Sequence, residues 1–91
     1  MPRYVVERDF ASGVPIPDGG EEGSRLCLLV VENNASDEVT WVHSYVSRDK
    51  KKSFDIYDAP TPEAIRRVAI KNSLPVNHIT EVMVLDPYFY R

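Results

Sequence analysis

Apolar and polar positions along this chain follow two spacings, an alternation typical of strands and a three-to-four-residue recurrence typical of helices. Stretches rich in β-branched and aromatic residues predict four strands, at residues 3–8, 38–47, 52–57 and 78–85. A Gly- and Pro-rich segment follows the first strand and predicts an irregular connection there.

Two helices are predicted between these strands. The first begins near Asp18, whose side chain suits a helix cap, and it fades at residues 33–36. The second has Thr61 as its cap and Pro62 at its first helical position, and Pro75 stops it.

The resulting order, β-α-β-β-α-β, is the ferredoxin-like pattern of an α+β protein. Right-handed crossovers place both helices on one side of a four-stranded antiparallel sheet. We call that side the helix-covered face and the other side the open face. The sequence predicts one such domain over residues 1–91.

Alternation assigns side chains of the two central strands to these faces. The aliphatic set suits the helix-covered core: Val42, Val46, Phe54 and Ile56. The other set is then expected on the open face: Trp41, His43, Tyr45, Asp55 and Tyr57. A three-residue hairpin loop would place His43 opposite Asp55, and the next permitted register would place His43 opposite Tyr57.

The cost of burying a charge assigns two carboxylates of the outer strands to a face of the sheet. An unpaired carboxylate beneath the helices would be costly, so Glu7 and Glu81 are expected on the open face. With its aromatic lining, this face is too apolar to remain in contact with water. We therefore expect two copies to pack through their open faces as a homodimer, in a dimeric α/β-barrel assembly.

Composition narrows the classes of partner. The net charge of -3 provides no basic face for nucleic acid. The basic run from Arg48 to Lys52 falls at the expected hairpin turn.

The single cysteine, Cys27, excludes an internal disulfide and is expected to be a small buried hydrophobe. The amino terminus resembles neither a signal peptide nor a membrane span, so cytoplasmic residence without a membrane partner is expected.

Several strings carry a family resemblance: Met-Pro-Arg-Tyr-Val-Val-Glu-Arg, Val-Thr-Trp-Val-His-Ser-Tyr-Val-Ser, Tyr-Asp-Ala-Pro-Thr-Pro-Glu-Ala-Ile-Arg-Arg, Ile-Thr-Glu-Val and Asp-Pro-Tyr-Phe-Tyr. With them the chain resembles a family of small bacterial proteins, mostly classed as a domain of unknown function, that includes a nickel-binding protein. The resemblance implies a homodimer of ferredoxin-like subunits and a divalent metal, nickel in particular. His43 is the one residue that the resemblance implies as a metal ligand. Asp55 departs from the family pattern, because relatives often have an apolar residue or Cys at that position.

Three functions remain open from the residues. The first is a metal-binding protein in metal handling, with His43, Asp55, Glu7 and Glu81 as ligands and Trp41, Tyr45 and Tyr57 lining the pocket. The second is an enzyme acting on a small aromatic or carbonyl substrate between the two sheets, with His43 as general base oriented by Asp55. The third is a structural or regulatory interaction module without a ligand, in which the partner chain fills the open face. For the site itself, a structural hydrogen bond between His43 and Asp55 also remains open.

Overall fold

Strands and helices follow one another along the chain in the predicted order, β-α-β-β-α-β. The structure is a computed structural model, and it describes residues 1–15 and 20–89. Its elements are β1 (Arg3–Asp9), α1 (Gly20–Ala35), β2 (Thr40–Val46), β3 (Lys52–Asp58), α2 (Pro62–Lys71) and β4 (His78–Val82). The four strands form one antiparallel sheet in the order β2-β3-β1-β4, which confirms the ferredoxin-like fold. The predicted cap at Asp18 lies outside the described residues.

The hydrophobic core lies between α2 and one side of the sheet. Tyr4 and Val6 of β1 and Tyr57 of β3 are buried there, in contact with the apolar stripe of α2. That stripe consists of Ala64, Ile65, Val68 and Ala69. The spacing of these four residues is the helical spacing that places side chains on one face of a helix.

Helix α2 begins as its sequence predicts. The Thr61 hydroxyl accepts a hydrogen bond from the backbone N–H of Ala64, at 3.2 Å, and Pro62 occupies the first helical position. The cap satisfies one of the free N–H groups at the helix start, and Pro62 needs no partner because it has no N–H. At the other end, Asn72 is the carboxyl-terminal cap.

Helix α1 covers its half of the sheet less closely. Its buried residues are Gly23 and Asn34. By contrast, Leu28 is 58% exposed and Leu29 is 50% exposed. The Asn34 side chain accepts a hydrogen bond from the Asn72 side chain at 3.0 Å, which ties the end of α1 to the end of α2. Neither helix in the described part of the chain is long and apolar enough to cross a membrane.

The predicted faces of β3 are wrong. Ser53, Asp55 and Tyr57 are buried on the helix-covered face, and Phe54 and Ile56 lie on the open face. The neighbouring strand explains the assignment. In β1, the residues opposite the buried set are also buried: Tyr4 pairs with Tyr57, and Val6 pairs with Asp55.

The register of the β2–β3 hairpin also differs from the two registers that we considered. Val46 pairs with Ser53, which leaves a longer turn than the predicted three residues and places His43 opposite Ile56. A bulge between Trp41 and His43 then shifts the register by one residue, so that Trp41 still pairs with Tyr57. A bulge adds one residue on one strand and thereby changes which face the following side chains occupy.

The carboxyl-terminal tail follows β4 and carries exposed aromatic side chains. Tyr88 is 76% exposed and Phe89 is 84% exposed. The side chains of Tyr88 and Phe89 are therefore mostly accessible to solvent. The last two residues of the tail lie outside the described part.

Candidate functional site

The residues predicted to form one site divide between the two sides of the sheet. Glu7, His43 and Tyr45 lie on the open face, as expected. The others lie on the helix-covered face: Asp55, Tyr57, Trp41 and Glu81. Because the sheet separates His43 from Asp55, Asp55 cannot orient His43 as a general base, and the two form no structural hydrogen bond.

Glu81 is on the helix-covered face because it pairs with the buried residue Tyr4. Its side chain is exposed, since β4 is an edge strand, so solvent satisfies the carboxylate and no burial cost arises. Burial raises the pKa of Tyr4, and the nearby Glu81 carboxylate raises it further. The solvation rule failed here because it considered only burial under the helices and not exposure at the sheet edge.

The open face contains a pair of metal-ligating residue types that was not predicted together. Glu7 of β1 lies directly opposite His78 of β4. Opposite residues on antiparallel strands have Cβ atoms about 5 Å apart, so the carboxylate and the imidazole can reach one ion.

His43 lies on the same face, nearer the β2 edge. Its ring meets the ring of Tyr45 edge to face, with centroids 5.1 Å apart and an interplanar angle of 88°. Between His43 and the Glu7–His78 pair lie the apolar side chains of Phe54, Ile56 and Val5. The face thus combines an apolar centre with imidazole groups towards both of its edges.

The described residues of one protomer do not form a complete set of metal ligands. Within residues 1–15 and 20–89, no three His, Cys, Asp or Glu side chains lie close enough together to hold an ion. The described residues of a single chain therefore do not by themselves form a complete metal site. Two donors, Glu7 and His78, are adjacent, and a second copy would be needed to bring more.

The helix-covered face holds a buried ion pair. The Arg8 guanidinium, 1% exposed, donates from Nη1 to the Asp55 carboxylate. The same nitrogen lies 3.4 Å from the hydroxyl oxygen of Tyr57, and the guanidinium carbon lies 5.6 Å from the centre of the Tyr57 ring. Burial raises the pKa of Tyr57, and the Asp55 charge adds to this effect while the Arg8 charge opposes it.

A cavity of about 440 Å³ lies beside this ion pair, between α1 and the sheet, and we call it the α1 cavity. Its lining includes Cys27 and Val30 of α1 and buried polar residues of β3. The full lining is Phe10, Val14, Pro15, Cys27, Val30, Trp41, Ser44, Val46, Ser47, Arg48, Lys50, Ser53, Asp55, Tyr57 and Leu74. Cys27 is thus half-buried beside a cavity and is not the fully packed hydrophobe that we expected.

Sequence reasoning placed the pocket between two sheets and so missed the α1 cavity. The signal that could have revealed it is Arg8, which follows the apolar Tyr4 and Val6 in the two-residue alternation of β1. A buried cation requires a buried anion, and Asp55 is the residue that provides one.

Comparison with known proteins identifies the family of this chain. A family model described as nickel responsive protein, SCO4226-like, matches residues 4–82. The chain belongs to this family. No curated protein sequence matches the chain. The family match agrees with the resemblance noted in the sequence and extends over most of the chain.

A solved structure supports the same fold. The crystal structure of SCO4226 from Streptomyces coelicolor A3(2) is similar to this chain, with a TM-score of 0.69. The match covers 92% of this chain and 99% of that one, at 10% sequence identity. At so low an identity, the likeness establishes the fold of this family member and leaves its ligands to be argued from its own residues.

Proposed function

We propose that this protein binds a divalent metal ion, nickel in particular, and acts in metal handling as a homodimer. The observation that carries the proposal is the pairing of Glu7 with His78 on the open face, in a member of a nickel-responsive family. Imidazole is a suitable donor for Ni²⁺, and both histidines of the chain lie on this one face.

The homodimer is proposed from the composition of the open face. Its centre is apolar, with Val5, Phe54 and Ile56 on adjacent strands, and Tyr45 beside them is 63% exposed. Apolar surface of this kind is normally covered in a soluble protein. Packing against a second open face would be self-complementary, as the two-fold symmetry of most homodimers requires.

Dimerisation would also complete the ligand set. A two-fold axis near the Glu7–His78 pair would bring two carboxylates and two imidazoles to one ion. His43 lies farther from the pair along the same face and would be a ligand only if the partner's sheet is offset. Asp55 and Glu81 are left out of this proposed set because they lie on the helix-covered face.

Calorimetric titration with Ni²⁺ tests the proposal. We expect Glu7→Gln and His78→Ala to weaken binding at least about tenfold, since even the loss of a group that supports a metal ligand has effects of this size. Glu81→Gln is the matched control, because it removes a carboxylate from the same region of the sheet but from the other face. It should bind Ni²⁺ as the unaltered protein does.

The titration also distinguishes the roles of the two histidines. His43→Ala tests the residue that the family resemblance emphasised, and the double variant His43→Ala, His78→Ala removes both imidazoles of the chain. If Glu7→Gln and His78→Ala both bind Ni²⁺ like the unaltered protein, the proposed site is wrong. If the double variant also binds unchanged, imidazole coordination as such is excluded.

A further inference from the structure

We propose that the α1 cavity binds a neutral, largely apolar small molecule with a hydroxyl group, such as an alkylphenol. The inference rests on one observation: the apolar walls of this cavity lie beside two polar residues of its lining, Ser53 with its hydroxyl and Asp55 with its carboxylate. It goes beyond metal binding, since the cavity and the proposed metal ligands lie on opposite faces of the sheet.

The size of the α1 cavity fits such a molecule. Its volume of about 440 Å³ lies within the range of roughly 300–1,000 Å³ typical of small-molecule sites. Exposed residues in the lining, Pro15 and Arg48 among them, mark where the cavity reaches solvent. A ligand therefore has a route of entry that requires no unfolding of the sheet.

A buried hydroxyl without a partner marks the polar part of the cavity. Ser53 is only 3% exposed, and within the described part of the chain its Oγ makes no hydrogen bond. A buried polar group without a hydrogen-bond partner destabilises the folded protein, because it has lost its hydrogen bonds to water. A ligand hydroxyl beside Ser53 would supply the missing hydrogen bond, so binding would recover part of that cost.

Charge at the buried end of the α1 cavity selects against ionic ligands, whereas the cations of the lining, Arg48 and Lys50, are exposed. The positive charge of Arg8 and the negative charge of Asp55 are already paired, so the buried end of the cavity has no net charge to attract an ion. Asp55 lines the cavity and offers carboxylate lone pairs, which favour a ligand that donates a hydrogen bond and disfavour a carboxylate ligand. A neutral hydroxyl meets both conditions.

The walls favour a flat apolar body. Trp41 donates from Nε1 to the Ser44 hydroxyl at 2.8 Å, so its one polar group is satisfied and its ring remains as apolar lining. Phe10, Val30 and Leu74 add further apolar surface. Aromatic rings pack favourably on one another in offset or edge-to-face geometry, so an aromatic ring suits this wall.

Three probes of similar shape test these requirements by NMR titration of the full chain. They are 4-ethylphenol, ethylbenzene and 4-ethylbenzoate. We expect 4-ethylphenol to shift the amide signals of Ser53, Asp55 and Trp41 in a saturable manner. Ethylbenzene and 4-ethylbenzoate should bind at least about tenfold more weakly, because a site that pairs with a hydroxyl discriminates against analogues without one.

Variants and a chemical probe locate the binding. Cys27→Phe should fill part of the cavity and abolish the 4-ethylphenol shifts, whereas Cys27→Ser, which keeps the volume, should retain them. Ser53→Ala should weaken 4-ethylphenol but not ethylbenzene, and Ser24→Ala on the exposed side of α1 is its matched control. In the unaltered protein, 4-ethylphenol should slow the alkylation of Cys27, the one thiol of the chain, so the test does not depend on any variant folding.

Three results would overturn the inference. Equal binding of ethylbenzene and 4-ethylphenol would remove the role of the hydroxyl group. Shifts confined to open-face residues such as Phe54 would place binding elsewhere. Alkylation of Cys27 at an unchanged rate in saturating 4-ethylphenol would exclude the α1 cavity. None of these results affects the Ni²⁺ titration, so the two proposals fail separately.

Discussion

At the scale of single residues, the pair of Arg8 and Asp55 is the most consequential contact on the helix-covered face. Both side chains are nearly inaccessible to solvent, with 1% and 10% of their surface exposed. Each is acceptable in that position only because the other is present, since an isolated buried charge is strongly unfavourable. The pair also sets the neutral character of the α1 cavity.

Asp55→Asn should lower the free energy of unfolding by about 3 kcal/mol, because it leaves Arg8 buried without a counterion. The matched control is Asp58→Asn, which breaks the more exposed pair of Arg3 and Asp58, with N–O distances of 2.8 and 3.1 Å. That change should cost less than about 1 kcal/mol. Urea denaturation measures both, and equal losses would contradict the assigned importance of the buried pair.

Tyr57 makes the stability of the folded protein depend on pH in the alkaline range. Burial raises its pKa above the ordinary value of 10.0, so the unfolded chain ionises before the folded one as pH increases. The contribution of Tyr57 to stability is complete below pH 10.0 and is lost as pH rises towards the raised pKa.

Tyr57→Phe should therefore reduce the loss of stability between neutral pH and pH values above 10.0. A smaller loss remains, because the pKa of Tyr4 is raised as well. Tyr45→Phe, at the exposed ring of the open face, serves as the control. Chemical denaturation at several pH values measures the effect. Parallel stability curves for Tyr57→Phe and the unaltered protein would exclude this role of Tyr57.

At the scale of elements, local signals predicted where helices and strands occur but not which way β3 faces. Thr61 and Pro62 marked the start of α2 because capping depends on a few adjacent residues. The faces of β3 depend instead on its partners in the sheet. Phe54 and Ile56 are apolar and Ser53 and Asp55 are polar, yet the polar set is the buried one, and there the Asp55 carboxylate pairs with Arg8.

The hairpin turn and the bulge in β2 could not be predicted from alternation. The turn contains Lys50 in the left-handed region, with φ of +62°, where Gly or Asn would normally give a sequence signal. The bulge beside Trp41 has no Gly to mark it either. The observed register, with His43 opposite Ile56, therefore differs from both predicted registers, and the predicted grouping of His43 and Asp55 on one face is wrong.

Thr61→Ala should destabilise the protein by about 1 kcal/mol, because it removes the side chain that accepts the Ala64 N–H. Thr61→Ser retains the hydroxyl and should cost much less. Thermal unfolding followed by circular dichroism compares the two. Equal melting temperatures for Thr61→Ala and Thr61→Ser would show that the cap contributes little to α2.

At the scale of the whole molecule, the two faces of the sheet have separate proposed roles. The open face carries the apolar residues Phe54 and Ile56 together with Glu7 and His78. The helix-covered face carries the α1 cavity and the Arg8–Asp55 pair. Metal binding through a second copy and small-molecule binding within one copy therefore need not compete for the same residues.

Phe54→Glu should convert the proposed dimer to a monomer in sedimentation analysis, because it places a charge in the apolar centre of the open face. Leu29→Glu is the control, since Leu29 is an apolar residue with 50% exposure that lies on α1 and not on the sheet. It should leave the sedimentation of the protein unchanged. A dimer that persists in Phe54→Glu would show that the open face is not the interface.

The most direct test of a nickel-binding dimer is a crystal structure of nickel-soaked protein with anomalous scattering recorded at the nickel absorption edge. The account predicts two protomers packed through their open faces, with an anomalous peak in contact with Glu7 and His78 of both. A peak elsewhere, for instance beside Glu81, would contradict the proposed ligands. Open faces left in solvent would contradict the proposed dimer.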